Sequence, residues 1–146
     1  MNDHDWLTLA CELARSCPPS ETAFSVGVIV VAHGGKEMAR GFSRESDPLD
    51  HAEEAALAKI DPADPRLPTA TVYSSLEPCG KRKSRPQACA RLIVGSGIRR
   101  VVMAWREPDL FVEGRGAEVL SAAGVVVVEM PELADLARKP NAHLVP

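Results

Sequence analysis

Three residues, His51, Cys79 and Cys89, have side chains suited to holding a metal ion. One imidazole and two thiolates make three protein ligands, the number found in catalytic zinc sites, where the fourth tetrahedral position is left for water. The two soft sulfur ligands favour zinc over harder ions. Zinc bound by two thiolates and a neutral histidine is formally neutral, so the site needs a base nearby. Glu53, two residues after His51, is the predicted base and proton shuttle, and we do not expect it to bind the metal.

A closed structural zinc site is the alternative, and it would require a fourth protein ligand. We prefer the catalytic interpretation because Glu53 follows His51 at the spacing that a proton shuttle requires. A zinc-stabilised interaction domain without catalytic activity stays open as the non-enzyme hypothesis. Four side chains elsewhere in the chain could supply the fourth ligand: Cys11, Cys17, His33 and His143.

The hydrophobic pattern predicts the helices and strands that must position these residues. An opening hairpin is followed by strands that alternate with helices, which indicates a layered α/β fold. Asp50 is predicted to cap the helix that begins at His51. Helices are predicted over residues 5–17, 51–60, 87–96, 113–123 and 131–138, and strands over 24–32, 36–42, 71–75, 99–105 and 125–129.

In this arrangement the candidate ligands occupy helix starts and a strand end. His51 opens one predicted helix, Cys89 lies in the first turn of another, and Cys79 follows the end of a strand. Functional sites in α/β sheets gather at such positions. We expect the helix N-terminus to help keep Cys89 as the thiolate that zinc requires.

Composition is that of an ordinary globular protein. The 146 residues fit one domain, 1–146, with 45% apolar and 25% charged residues. The formal net charge of -3 gives no general attraction to nucleic acids or anionic lipids. No apolar stretch has membrane-spanning length, the first residues lack a signal-peptide core, and four cysteines in such a chain do not suggest a disulfide scaffold. The expected location is therefore the cytoplasm.

The order of these motifs resembles the zinc-dependent cytidine and deoxycytidylate deaminase superfamily. Its signature appears as His51-Ala52-Glu53 and Pro78-Cys79, but nine residues rather than two separate Cys79 from Cys89. That wide spacing is most similar to the pyrimidine deaminase domain of riboflavin biosynthesis. Segments 76–79, 97–102, 114–116 and 120–125 also resemble that branch, so the likeness covers roughly residues 5–130.

Membership of this superfamily would imply a three-layer α/β/α fold with a mixed five-stranded sheet. The resemblance also implies zinc on the His-Cys-Cys set, Glu53 as proton shuttle, and a homodimer or homotetramer. Two segments depart from the family: residues 22–27 contain no counterpart of a substrate-holding asparagine, and 105–108 read Trp-Arg-Glu-Pro instead of Arg-Asp-Pro. We expect Trp105 to belong to the core.

The residues expected to contact the substrate lie around the predicted metal ligands. Phe24 stands where the first strand of the family approaches the substrate, and four cations lie between the two cysteines. Those cations either bind a phosphate of the substrate or form a plain surface loop. The predicted substrate-binding residues are Phe24, Ala52, Ser75, Leu76, Glu77, Lys81, Arg82, Lys83 and Arg85.

The predicted reaction is therefore the zinc-dependent hydrolytic removal of an exocyclic amine from a small aminopyrimidine. The wide cysteine spacing and the basic loop favour a diaminopyrimidine that carries a ribose phosphate, as in riboflavin-type biosynthesis. The alternative substrate is a cytosine-type nucleoside or nucleotide, and guanine is less favoured. A nucleic-acid base is disfavoured because the chain is not basic outside that loop.

Overall fold

Five strands form one mixed sheet in the computed structural model, which describes residues 1–80, 88–106, 108 and 115–145. The sheet order is β2-β1-β3-β4-β5, with β1 antiparallel to both of its neighbours and β3, β4 and β5 parallel. The predicted mixed five-stranded α/β fold is thereby confirmed. The strands are β1 (Gly27–Val31), β2 (Glu37–Phe42), β3 (Thr71–Leu76), β4 (Arg100–Trp105) and β5 (Val126–Glu129).

The helices lie on the two faces of this sheet. On one face α1 and α5 pack against each other and against the central strands, and on the other α2, α3 and α4 follow one another from β2 to β5. This is the three-layer arrangement predicted. None of the helices in the described part of the chain is long and apolar enough to cross a membrane. The helices are α1 (Asp3–Leu13), α2 (Ala52–Leu57), α3 (Cys89–Ser96), α4 (Gly116–Ala122) and α5 (Ala134–Arg138).

Strands β1 and β4 are covered on both faces, which explains their mainly apolar sequences. Every residue of β1 is buried, and β4 is buried from Val101 to Trp105. The register places Val28 of β1 and Met103 of β4 on either side of Ser74 in β3. A serine therefore lies at the middle of the sheet.

Several helix boundaries differ from the predictions. The first helix ends at Leu13 and continues as a 3₁₀ turn, Ala14–Ser16, and α5 is preceded by another, Pro131–Leu133. The cap of α2 is His51 and not Asp50, so that prediction was wrong. Asp50 is held in the preceding turn, where its N–H donates to the Asp47 carbonyl and its own carbonyl accepts the Arg44 N–H. The predicted starts of α3 at 87 and α4 at 113 lie outside the described residues.

Candidate metal centre

The fold brings the donor atoms of His51, Cys79 and Cys89 together. His51 Nδ1 lies 3.2 Å from Cys89 Sγ and 3.7 Å from Cys79 Sγ, and the three donor atoms lie within 4.8 Å of one another. Tetrahedral zinc with its usual bond lengths separates a nitrogen and a sulfur ligand by about 3.5 Å. The spacing of these donor atoms therefore fits a zinc ion.

Two helix N-termini and one strand end position the three side chains. His51 caps α2, and its backbone N–H donates to Glu54 Oε1 at 2.9 Å, which fixes the ligand to the first turn of the helix. Cys79 follows β3 after Glu77 and Pro78, and Cys89 is the first residue of α3. The Ala90 N–H donates to the Cys79 carbonyl at 3.1 Å, so the start of α3 holds the loop that carries the other cysteine.

The helix N-terminus acts on a different sulfur from the one expected. The backbone N–H of Cys89 donates to Cys79 Sγ at 3.2 Å. Hydrogen bonds from the Cys89 thiol, His51 and this N–H lower the pKa of Cys79, whereas burial raises the pKa of Cys89. Cys79 is therefore the more acidic of the two thiols. Binding a metal through both sulfurs requires both to be deprotonated and so releases protons.

A fourth protein ligand is absent from this cluster within the described residues. Cys11 lies fully buried on α1, and burial raises the pKa of its thiol to about 12. Cys17 donates to the Val26 carbonyl at 3.5 Å, and His143 Nε2 lies 2.7 Å from the Ser20 carbonyl oxygen. His33 lies in the turn between β1 and β2. The described ligand set is thus the open set of three.

Glu53 lies on α2 beside these ligands and is almost completely buried, with 4% of its surface exposed. Burial raises the pKa of its carboxyl group, and the neighbouring His51 only partly opposes that effect. Ser74 Oγ lies 3.4 Å from Glu53 Oε1. A carboxyl group with a raised pKa in a protected site is suited to taking up and returning a proton near neutral pH.

All five described residues predicted to bind substrate are buried. Phe24 packs edge-on against Trp105 with ring centroids 5.5 Å apart, and both rings are buried, which confirms the core position expected for Trp105. Ala52 and Leu76 are buried as well, and Ser75 Oγ accepts the Gly27 N–H at 3.1 Å. Their contact with a substrate stays a prediction. The basic residues Lys81, Arg82, Lys83 and Arg85 lie outside the described residues.

Glu77 has a structural contact that the sequence pattern did not indicate. Its carboxylate Oε2 accepts the Ala117 N–H at 2.9 Å, at the start of α4, and lies 3.9 Å from Arg106 Nη1. An acidic side chain at a helix N-terminus is favourable because the amides there are otherwise unpaired. Forty residues separate Glu77 from Ala117, so no local sequence signal could have predicted the pairing.

The contact between α4 and the Cys79 loop leaves no space for a side chain at Gly116. An added Cβ there would overlap the carbonyl oxygen of Pro78. We therefore expect Gly116→Ala to destabilise the protein by about 3 kcal/mol or more, because overpacking a buried contact forces the backbone apart. The displaced loop carries Cys79, so metal content should fall as well. Thermal unfolding and elemental analysis measure the two effects.

Gly95→Ala is the matched control. Gly95 lies on α3 with open space around it, and alanine is the better helix former by about 1 kcal/mol. This variant should keep its metal and unfold at the same or a higher temperature. Equal behaviour of the two variants would contradict the close approach at Gly116.

Comparisons with known proteins agree with this geometry. The family model described as the cytidine and deoxycytidylate deaminase zinc-binding region matches residues 1–105. The diaminohydroxyphosphoribosylamino-pyrimidine deaminase of Schizosaccharomyces pombe is 40% identical over 131 residues, 88% of this chain and 32% of that protein. The chain thus spans about a third of the length of that curated relative.

Two solved structures share the fold. RibD of Acinetobacter baumannii superposes with a TM-score of 0.79 at 31% identity, covering 98% of this chain and 39% of that one. The Rib2 deaminase of Aspergillus oryzae, solved in complex with DARIPP, superposes with a TM-score of 0.74 at 23% identity, covering 97% of this chain and 95% of that one.

Proposed function

The chain belongs to the cytidine and deoxycytidylate deaminase family, and from that premise we propose that it hydrolyses the exocyclic amine of a small aminopyrimidine. The observation that carries the proposal is the pairing of an open set of three metal ligands with the buried carboxyl group of Glu53. A closed structural site would have no use for such a carboxyl group.

His51, Cys79 and Cys89 are the residues that would hold the zinc ion, through Nδ1 and the two sulfurs. When bound, zinc supplies the Lewis acidity that activates water for attack on the ring carbon. The Cys89 N–H donates to Cys79 Sγ, a bond that would orient this ligand and spread its negative charge when zinc is held. Glu54 fixes the backbone of His51 and so limits the motion of the imidazole.

Glu53 performs the proton transfers. Its carboxylate accepts one proton of the attacking water and gives it to the ring nitrogen. It then accepts the proton of the hydroxyl group newly added to the ring carbon and gives it to the departing amine, which leaves as ammonia, while the ring carbon becomes a carbonyl group. Both transfers need a group whose pKa lies near the working pH, and burial moves the pKa of Glu53 upward toward it. Helix α2 carries both this carboxyl group and His51, so proton shuttle and metal ligand are held at a fixed distance.

The proposed substrate is a diaminopyrimidine that carries a ribose phosphate, as in riboflavin-type biosynthesis. The name of the Schizosaccharomyces pombe relative supports this choice, since that protein is called a diaminohydroxyphosphoribosylamino-pyrimidine deaminase. The basic residues Lys81, Arg82, Lys83 and Arg85 would bind the phosphate, because Lys and Arg pair strongly with phosphate oxygens. We further propose a cytoplasmic homodimer or homotetramer.

The substrate is tested by measuring ammonia release from a panel of amines with the zinc-loaded protein. We expect the phosphorylated diaminopyrimidine riboside to give the highest kcat/KM, and its dephosphorylated form to be poorer by about 10- to 100-fold, the value of a hydrogen bond to a charged group. Cytidine, deoxycytidylate and guanine complete the panel.

A variant pair separates phosphate binding from general charge. Lys81→Gln should lower kcat/KM for the phosphorylated compound alone, whereas Arg91→Gln, on the exposed side of α3, should leave it unchanged. Equal kinetics with and without the phosphate would refute the role of the basic loop. Higher activity on deoxycytidylate would move the assignment to a cytosine-type nucleotide.

A further inference from the structure

Ser74 is a fully buried polar residue in the central strand of the sheet. It lies in the middle of β3, between Val28 of β1 and Met103 of β4, and its surface is 0% exposed. A buried hydroxyl group in such a place must find hydrogen-bond partners inside the protein. Its Oγ donates to the carbonyl oxygen of Leu76 at 2.6 Å, two residues further along the same strand.

The second neighbour of the Ser74 hydroxyl is the carboxyl group of Glu53. Oε1 of that group lies 3.4 Å from Ser74 Oγ, and both side chains are shielded from solvent. A hydroxyl group both donates and accepts hydrogen bonds. It can therefore pair with a carboxylate by turning its proton toward it, or accept the proton of a carboxylic acid while donating to Leu76.

We propose that Ser74 is a positioning residue for Glu53, whose Oε1 it holds so that the other oxygen is directed at the metal centre and the substrate. The inference rests on the proposed function, in which Glu53 is alternately a carboxylate and a carboxylic acid. The Ser74 hydroxyl group, held by its bond to the Leu76 carbonyl, gives Glu53 Oε1 a hydrogen-bond neighbour at a fixed place. A carboxyl group anchored at one oxygen loses rotational freedom, and such orientation contributes directly to the rate of proton transfer.

The test compares Ser74→Ala with Ser74→Thr, which keeps the hydroxyl group. We expect Ser74→Ala to lower kcat by about five- to tenfold, the effect of one net hydrogen bond, with KM and zinc content unchanged. Ser74→Thr should recover most of the lost kcat. If Ser74 had only a structural role, Ser74→Ala would lower the unfolding temperature and the metal content, and it would not lower kcat selectively while KM stays unchanged.

Ser96→Ala is the matched control variant. Its Oγ makes the same kind of bond, 2.6 Å to the carbonyl oxygen of Ile93, but on α3 and away from Glu53. This variant should lose a comparable amount of stability and retain full kcat. An equal loss of kcat in Ser74→Ala and Ser96→Ala would overturn the proposal.

A second measurement on the metal-free protein does not depend on turnover. The carboxyl stretching band of Glu53, assigned in infrared difference spectra by its loss in Glu53→Gln, should move to higher frequency in Ser74→Ala because a hydrogen bond is removed. An unmoved band, or wild-type kcat in Ser74→Ala, overturns the inference.

A wild-type chain that releases no ammonia from any amine of the panel overturns the proposed function instead, and the role of Ser74 in turnover falls with it.

Discussion

Replacing Glu53 by glutamine is expected to lower kcat for ammonia release by about 10²- to 10⁴-fold, the usual contribution of a positioned general acid–base group. Glutamine has the same shape but cannot accept and return a proton. Its amide can still pair with Ser74 Oγ, and removing an ionisable group from a buried position introduces no new cost of burying charge. Zinc content and unfolding temperature should therefore stay at their wild-type values.

The comparison needs a glutamate whose loss of charge has no bearing on the metal centre. Glu37 serves this purpose, since it lies on β2 and pairs with Arg40 at the surface. Glu37→Gln should retain wild-type kcat. Full activity in Glu53→Gln would refute the proton-transfer role, and loss of zinc in that variant would instead make Glu53 a ligand.

Replacing Cys89 by serine is expected to reduce the metal content from about one ion per chain to a small fraction of that. Serine does not ionise at neutral pH, and zinc requires a deprotonated ligand. Because folding and metal binding are coupled, the unfolding temperature of the protein isolated with its metal should fall too. Elemental analysis and thermal unfolding measure the two quantities, and ammonia release should vanish with the metal.

Cys17→Ser distinguishes a ligand from a bystander cysteine. The Cys17 thiol donates to the Val26 carbonyl, a bond that a serine hydroxyl can replace, so this variant should keep its metal. Acid should remove the metal from the wild-type chain, because metal binding releases the proton that the buried Cys89 thiol otherwise retains. Metal retention by Cys89→Ser would contradict the proposed ligand set.

Much of the candidate site could be predicted because its residues occupy positions that local sequence defines. The histidine and the two cysteines at positions 51, 79 and 89 lie at two helix starts and beyond one strand end. The periodicity of apolar residues locates such boundaries within a few residues. The resemblance to riboflavin-biosynthesis deaminases, and with it the fold, is confirmed. The apolar sequences of β1 and β4 explain why these two strands could be predicted as buried strands of the sheet.

The features that were missed depend on contacts between distant parts of the chain. Ser74 has no distinctive sequence context within its strand, and it meets Glu53 only because the folded chain packs α2 against β2 and β1, beside β3. The pairing of Glu77 with the Ala117 N–H was missed because it joins residues forty positions apart, and contact of Glu77 with a substrate stays a prediction. The N-terminus of α3 was expected to stabilise the thiolate of Cys89. In the structure the backbone N–H of Cys89 donates instead to Cys79 Sγ, and the sequence does not reveal the direction in which that N–H points.

The separation of the ligands along the chain also bears on how the protein acquires its metal. His51 and Cys89 lie 38 positions apart, and between them the chain forms α2 and β3, the strand that pairs with both β1 and β4. Bringing the two ends of so long a segment together costs chain entropy, and the pairing of β3 with its neighbouring strands must offset that cost before the ligands can meet. We therefore expect the ion to bind after these strands have paired, and not to nucleate their pairing.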